Sequence, residues 1–286
     1  HDRARPAAIA AKCAAAQGKY WDMYRPDDIT LPASFDAPLT NAPPPVAWLR
    51  AQRAAHPGFK PGYGSFACSE QEAREAIALN YGNLSCIDDA VGRVMAQLQQ
   101  LGLDENTVVA FTSDHGELLG DRGLMFKGGL HYTALTRVPF IWRDPQASKP
   151  GSSAALAQTT DIAPTILARA GLAPANGMHG LSLLPVVDGT QSGVRTQLLI
   201  EEESQRRDFG MDRRVRMRTL RSDRYRVTLY DGQPWGELYD LKADPMELRN
   251  LWNDDAAQTT RLELLAELAR AMLDAADTSP YPGASA

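Results

Sequence analysis

The sequence predicts an α/β fold followed by a small antiparallel sheet with a covering helix, and three observations carry that expectation. A long amphipathic stretch, Ala73 to Leu98, leads after a short turn into an apolar run, the arrangement of a helix feeding a strand. After Gly189 the pattern changes to short alternating segments separated by turn residues, which read as antiparallel strands. A last stripe, Leu262, Leu265, Leu268, Ala269 and Met272, repeats at helical spacing and is most simply the helix that covers one face of that sheet. The 286 residues, 44% hydrophobic and 23% charged, suffice for a real core and exclude the disordered, collagenous and disulfide-scaffold classes.

From His1 to Pro61 the chain reads as loop. Pro26, Pro32, Pro38 and the run Pro43, Pro44, Pro45 discourage helix, while Tyr20, Trp21, Tyr24 and Phe35 offer scattered aromatic anchors. Such a length of loop suggests a substrate-lining loop or a segment whose packing partners are expected to be absent from this chain. Packing is the expected role of Trp21, Tyr24 and His56, with a substrate entrance as the alternative. The start at His1 and the Ala-rich stretch Ala7 to Ala16 carry no signal-peptide design, so the gene product is expected to begin further upstream.

Ser69 followed by Glu72 forms a capping box, and Ala73, Ile77, Tyr81, Leu84, Ile87, Val91, Val94 and Leu98 then recur every three or four residues until Gly102. Val108 to Thr112 is a continuous apolar run of the kind buried on both faces in a parallel sheet, and Val138 to Trp142 is a second run. Asp161 to Ala170 predicts a helix started by Thr160 or Asp161 and stopped by Gly171. Gln197 to Glu201, Val215 to Leu220, Tyr225 to Tyr230 and Glu237 to Leu241 are the alternating segments, with turns at Ser222-Asp223 and Asp231-Gly232. Three regions follow: a loop-rich segment 1–66, an α/β portion 67–190 and a sheet-plus-helix portion 191–286.

The net charge is −5, from 30 Lys plus Arg against 35 Asp plus Glu, so no global positive field gathers nucleic acid or anionic lipid. The one dense basic stretch, Arg206 to Arg226, alternates with acids and apolar residues and reads as a solvated strand pair at the surface. No run reaches the roughly 18 apolar residues of a membrane span, so a soluble protein of the cytoplasm or periplasm is expected. Cys13, Cys68 and Cys86 form no CxxC pair, and neither a zinc ribbon nor a disulfide framework is indicated. Asp88 and Asp89 read as solvent-facing residues of the long helix.

The informative stretch is Phe111 to Tyr132, FTSDHGELLGDRGLMFKGGLHY. Asp114 and His115 follow the apolar run directly, and ligands of α/β sheets bind where strands end. A carboxylate beside an imidazole, with Gly116 letting the backbone turn away, suits a divalent cation that accepts mixed oxygen and nitrogen ligands. Gly120, Gly123, Gly128 and Gly129 allow the loop to fold closely, Lys127 brings a three-donor point charge, and His131 can donate a proton or hydrogen bond. A metal, a lysine and a histidine are equipment for stabilising a sulfuryl or phosphoryl oxyanion. Asp121 and Arg122 read as a local ion pair.

SDHGELLGDRGLMFKG, followed by HYTALTRVPFIW, resembles the C-terminal metal-site motif of the sulfatases, within the alkaline phosphatase superfamily. LNYGNLSCIDDAVGRVMAQLQQLGL before it, TTDIAPTILARAGL after it and GELYDLKADPMELRNLW near the end agree in order and spacing, so the resemblance runs from about Gly18 to Leu273. It implies that the α/β portion is part of a large mixed sheet flanked by helices. It also implies that Asp114 and His115 are metal ligands, that Lys127 contacts a small-molecule sulfate ester, and that His131 is a less certain catalytic neighbour. The implied metal is Ca²⁺, with Mn²⁺ and Mg²⁺ as alternatives.

The same resemblance implies a formylglycine nucleophile made from a CxPSR-type segment, and here the sequence departs from the pattern. The three cysteines stand in CAAAQ, CSEQE and CIDDA, and the family's N-terminal pair of metal-binding acids has no counterpart. Arg122 stands where His is the more frequent residue. The leading expectation is therefore a sulfuric ester hydrolase whose chain here lacks its nucleophile, by itself inactive and weak in metal binding. A phosphonate or phosphate ester hydrolase of the same superfamily is the chemical alternative, and a non-catalytic homologue or gene fragment is the alternative of a different class.

Overall fold

The structure, a computed structural model, describes residues 18–56, 64–147, 150–205 and 207–276. The Ala-rich stretch, Cys13 and Arg206 lie outside the described residues. The chain divides into two compact units, one holding residues 18–39 and Pro44–Pro145, the other Thr40–Pro43 and residues 146–276.

The first unit opens with short 3-10 turns at Gly18–Tyr20 and Pro26–Asp28, then a helix α1, Pro44–Ala55. The proline run counted against helix in the sequence instead starts one. Pro44 and Pro45 occupy the first turn, where an N–H has no intrahelical acceptor and proline's fixed φ is already suitable. Strand β1, Phe66–Ala67, leads to the 31-residue helix α2, Glu70–Gln100. The capping box is present at its start: the Glu72 N–H donates to Ser69 Oγ at 3.3 Å, and the Ser69 N–H donates to Glu72 Oε2 at 2.8 Å. Ala73, Ala76 and Leu79 pack with Phe35, Phe66 and Met125 in the core of this unit. Ile77 is buried as well, whereas the stripe further along is less enclosed, since Leu84 is 52% exposed, Ile87 47% and Val94 59%.

Strand β2, Val109–Thr112, departs from expectation. Among the described residues it pairs only with a later strand, Phe140–Arg143, and the pairing is antiparallel, with Val109 opposite Arg143 and Thr112 opposite Phe140. It is not buried on both faces. Val109 and Phe111 share a half-buried side while Ala110 and Thr112 face solvent, as the two-residue period of a strand in a two-stranded ladder requires. Between these strands lie β3, Leu124–Met125, paired antiparallel with β1, and a four-residue helix α3, Thr133–Thr136; Phe140–Arg143 is β4.

In the second unit the predicted helix is present as α4, Ile162–Arg169, after a 3-10 turn at Thr159–Asp161, and Gly171 ends it at φ +72°. Buried Asp161 ties this start down: Arg195 grips both its carboxylate oxygens, and the Gln158 and Leu181 N–H groups donate to it at 2.8 Å each. After α5, Leu184–Val187, four strands form an antiparallel meander in the order β5-β6-β7-β8: Gln197–Glu203, Arg216–Ser222, Tyr225–Tyr230 and Gly236–Asp240. Helix α6, Gln258–Asp274, covers one face as predicted, placing Leu264 and Leu268 against Leu220, Val227 and Leu238.

The opposite face corrects the reading of the basic stretch. Arg226 is not a surface residue: it has no exposed area, and it donates to Glu237 at 3.0 Å and Glu247 at 2.5 Å. It also donates to Thr228 Oγ1 at 2.9 Å and lies over the Tyr239 ring at 4.7 Å, while Tyr230 donates to Glu237. Arg216 and Arg218 do behave as expected, pairing with Glu203 across the β5–β6 ladder. No helix of the described residues is long and apolar enough to cross a membrane.

Candidate functional site

The site begins where β2 ends. Thr112 Oγ1 donates to the Pro139 carbonyl at 2.9 Å, which holds the strand end to the start of β4. At the next residue the Ser113 hydroxyl donates to the His115 carbonyl at 3.1 Å, and the His115 N–H returns to Asp114 Oδ1 at 2.9 Å. That N–H is the largest of the influences that hold the Asp114 carboxyl below its ordinary value, so Asp114 is an anion at neutral pH. Its side chain is 80% exposed, against 33% for His115.

His115 Nδ1 lies 2.8 Å from the Gly116 carbonyl oxygen. A carbonyl only accepts, so this contact is a hydrogen bond when Nδ1 carries the proton, and the neutral ring of that tautomer presents a lone pair at Nε2. Nε2 stands 3.2 Å from Asp114 Oδ2, and the Lys127 ammonium donates to the same Nε2. Two acceptor atoms and one ammonium thus meet at a single point.

The loop that returns Lys127 to His115 is tightly held. Gly120 turns at φ +98° and Gly123 at +69°, conformations that suit glycine, while Leu119, Arg122 and Phe126 also take positive φ values. Buried Leu118, Leu124 and Met125 anchor the loop from below. Asp121 accepts from Ser34, and Arg122 is buried with its guanidinium 3.6 Å from the Tyr132 ring centroid. The Arg122 carbonyl accepts from Arg50 Nε at 3.1 Å and from its terminal nitrogen at 2.7 Å. Ser34 and Arg50 were not found by sequence reasoning, because their partners lie 87 and 72 residues away and neither stands in a local pattern.

Of the four residues picked from the sequence, Asp114, His115 and Lys127 come together. His131 lies in the same loop but is 6% exposed, between buried Leu130 and Tyr132. Tyr24 packs edge-on to Tyr81 at 5.5 Å, Trp21 sits against the Phe35 cluster, and His56 is exposed. Asp89 is a surface partner of Lys19 and Tyr20.

The donor chemistry fits a divalent cation: a carboxylate oxygen and an imidazole nitrogen stand 3.2 Å apart. Among the described residues no group of three or more His, Cys, Asp or Glu could hold a metal ion, so these two donors make a partial set. Cys68 is buried with its thiol at 3.5 Å from the Gly123 carbonyl, and Cys86 lies half-buried on α2. Neither fits the role of a formylglycine precursor, since neither begins a CxPSR-type segment.

Two family models match the chain: Sulfatase over residues 24–172, and N-sulphoglucosamine sulphohydrolase, C-terminal, over residues 120–274. A choline-sulfatase of Rhizobium meliloti is 28% identical over 82% of this chain and 43% of its own length. An arylsulfatase of Clostridium perfringens is 29% identical over 82% of this chain and 46% of its own. Among solved structures, the phosphonate monoester hydrolase of Silicibacter pomeroyi superposes with a TM-score of 0.74 at 26% identity, covering 91% of this chain and 54% of that one. The chain spans about half the length of the curated relatives it matches.

Proposed function

Because the chain belongs to the sulfatase family, we propose that it serves hydrolysis of a small-molecule sulfuric ester, with Asp114 and His115 as cation ligands and Lys127 as the sulfate-binding cation. The observation that carries this reading is the meeting of Asp114 Oδ2, His115 Nε2 and the Lys127 ammonium at the end of β2.

Asp114 supplies negative charge, and His115 supplies a neutral nitrogen whose other ring position is tied to the backbone. A divalent cation held there, Ca²⁺ or alternatively Mn²⁺ or Mg²⁺, supplies Lewis acidity toward a sulfuryl oxygen. Lys127 donates to a second oxygen of the same group and stabilises the charge that grows there. When a nucleophile takes the sulfuryl group, the departing alkoxide oxygen needs a proton, and His131, buried in the same loop, is the residue we assign to donate it or to hydrogen-bond that oxygen. No residue of this chain is assigned the nucleophile.

Turnover of an aryl sulfate and of a phosphonate monoester by the full product of the gene tests the reading. Aryl sulfate hydrolysis is expected, and Lys127→Ala is expected to lower kcat/KM by about 10²–10³-fold, as loss of one oxyanion donor does. Turnover of the phosphonate alone would assign the site to the superfamily's other chemistry, which the Silicibacter pomeroyi likeness favours. Hydrolysis of neither would leave a non-catalytic protein.

A further inference from the structure

Gly116 enters the chemistry above only through its carbonyl, yet its surroundings are unusually constrained. Its N–H donates to the Leu135 carbonyl in α3 at 2.8 Å. A Cβ built on it would lie 1.9 Å from the Ala134 carbonyl oxygen and 3.2 Å from Leu135 Cα, both backbone atoms that cannot swing aside. Its φ is not in the left-handed region, so contact and not backbone conformation demands glycine here. On its other side the Gly116 carbonyl accepts from His115 Nδ1 at 2.8 Å.

These contacts form a chain. Buried Leu135 seats α3, the α3 backbone fixes the Gly116 peptide, and that peptide holds the His115 ring. A carbonyl beside Nδ1 stabilises the Nδ1–H tautomer and leaves Nε2 as the lone pair facing Asp114 Oδ2 and Lys127. Were the Gly116 carbonyl to turn away, His115 would be free to adopt the Nε2–H form, which offers a proton where a cation ligand must offer electrons. We infer that Gly116, wedged against α3, is a positioning residue that sets both the tautomer and the direction of His115. The inference rests on the reading that Asp114 and His115 are cation ligands.

The test separates the two claims. In ¹⁵N-labelled chain at about pH 8, above the ordinary histidine value, long-range ¹H–¹⁵N spectra report which ring nitrogen of His115 carries hydrogen, with no metal added. Nδ1–H is expected, and the Nε2–H form overturns the inference. Gly116→Ala is expected to give a mixture of tautomers and to raise by about tenfold the Mn²⁺ concentration that broadens the His115 ring signals, the cost usual for loss of an outer partner of a ligand. A folded Gly116→Ala protein with the wild-type tautomer and Mn²⁺ response overturns it too. Should that variant not fold, hydrogen exchange at the wild-type Gly116 amide decides: protection is expected, and exchange as fast as in an unstructured glycine refutes the clamp. A wild-type chain with the Nδ1–H form and no Mn²⁺ broadening upholds the clamp and refutes the cation reading.

Discussion

Arg226 shows how one residue can be read correctly in type and wrongly in place. Its neighbours Arg216 and Arg218 pair at the surface with Glu203, as alternating charge suggests. Arg226 instead has two buried carboxylate partners, on β8 and after it. Replacing it by Met removes a buried charge that compensates both Glu237 and Glu247, and is expected to cost about 3–5 kcal/mol. Adding Glu237→Gln and Glu247→Gln is expected to recover part of that loss, because the stranded charges disappear. Thermal melting of the single and the triple variant checks both signs. The meeting of Asp114, His115 and Lys127 was more legible, since the three fall in one continuous motif whose glycines announce a closely folded loop. Ser34 and Arg50, which brace that loop, were not legible, because a brace is defined by a long-range contact and needs no motif of its own.

At the level of elements, legibility followed the signals that act locally. Helix α2 was readable from its cap and period, and its cap is quantitatively testable: Ser69→Ala removes the acceptor of the Glu72 N–H. A loss of about 1 kcal/mol is expected, with Ser69→Asp close to wild type, measured by urea denaturation. The four-stranded meander was readable because alternation and turn residues mark each strand, and Tyr225–Tyr230 matches its prediction at both ends. Strand β2 was misread because a continuous apolar run specifies burial without naming the partner strand. Helix α1 was misread because proline opposes a helix interior but suits a first turn, and composition alone does not tell the two positions apart.

At the scale of the whole molecule, the mixed fold and the family were legible from the sequence, whereas the division into units was not, because it depends on which segments touch. Thr40, far from the second unit in sequence, pairs with Arg249 within it. The partly wetted stripe on α2 has a calorimetric consequence. Apolar surface already in contact with water when the chain is folded adds nothing to the heat capacity gained on unfolding. The side chains of Leu84, Ile87 and Val94, together with Ile141 on β4 at 59% exposure, are in that condition. Differential scanning calorimetry is therefore expected to give an increment below the usual ~12–15 cal/mol/K per residue. An increment at or above that range would contradict it. With a smaller increment the stability curve is expected to be broader and shallower, so that stability changes less between cold and room temperature.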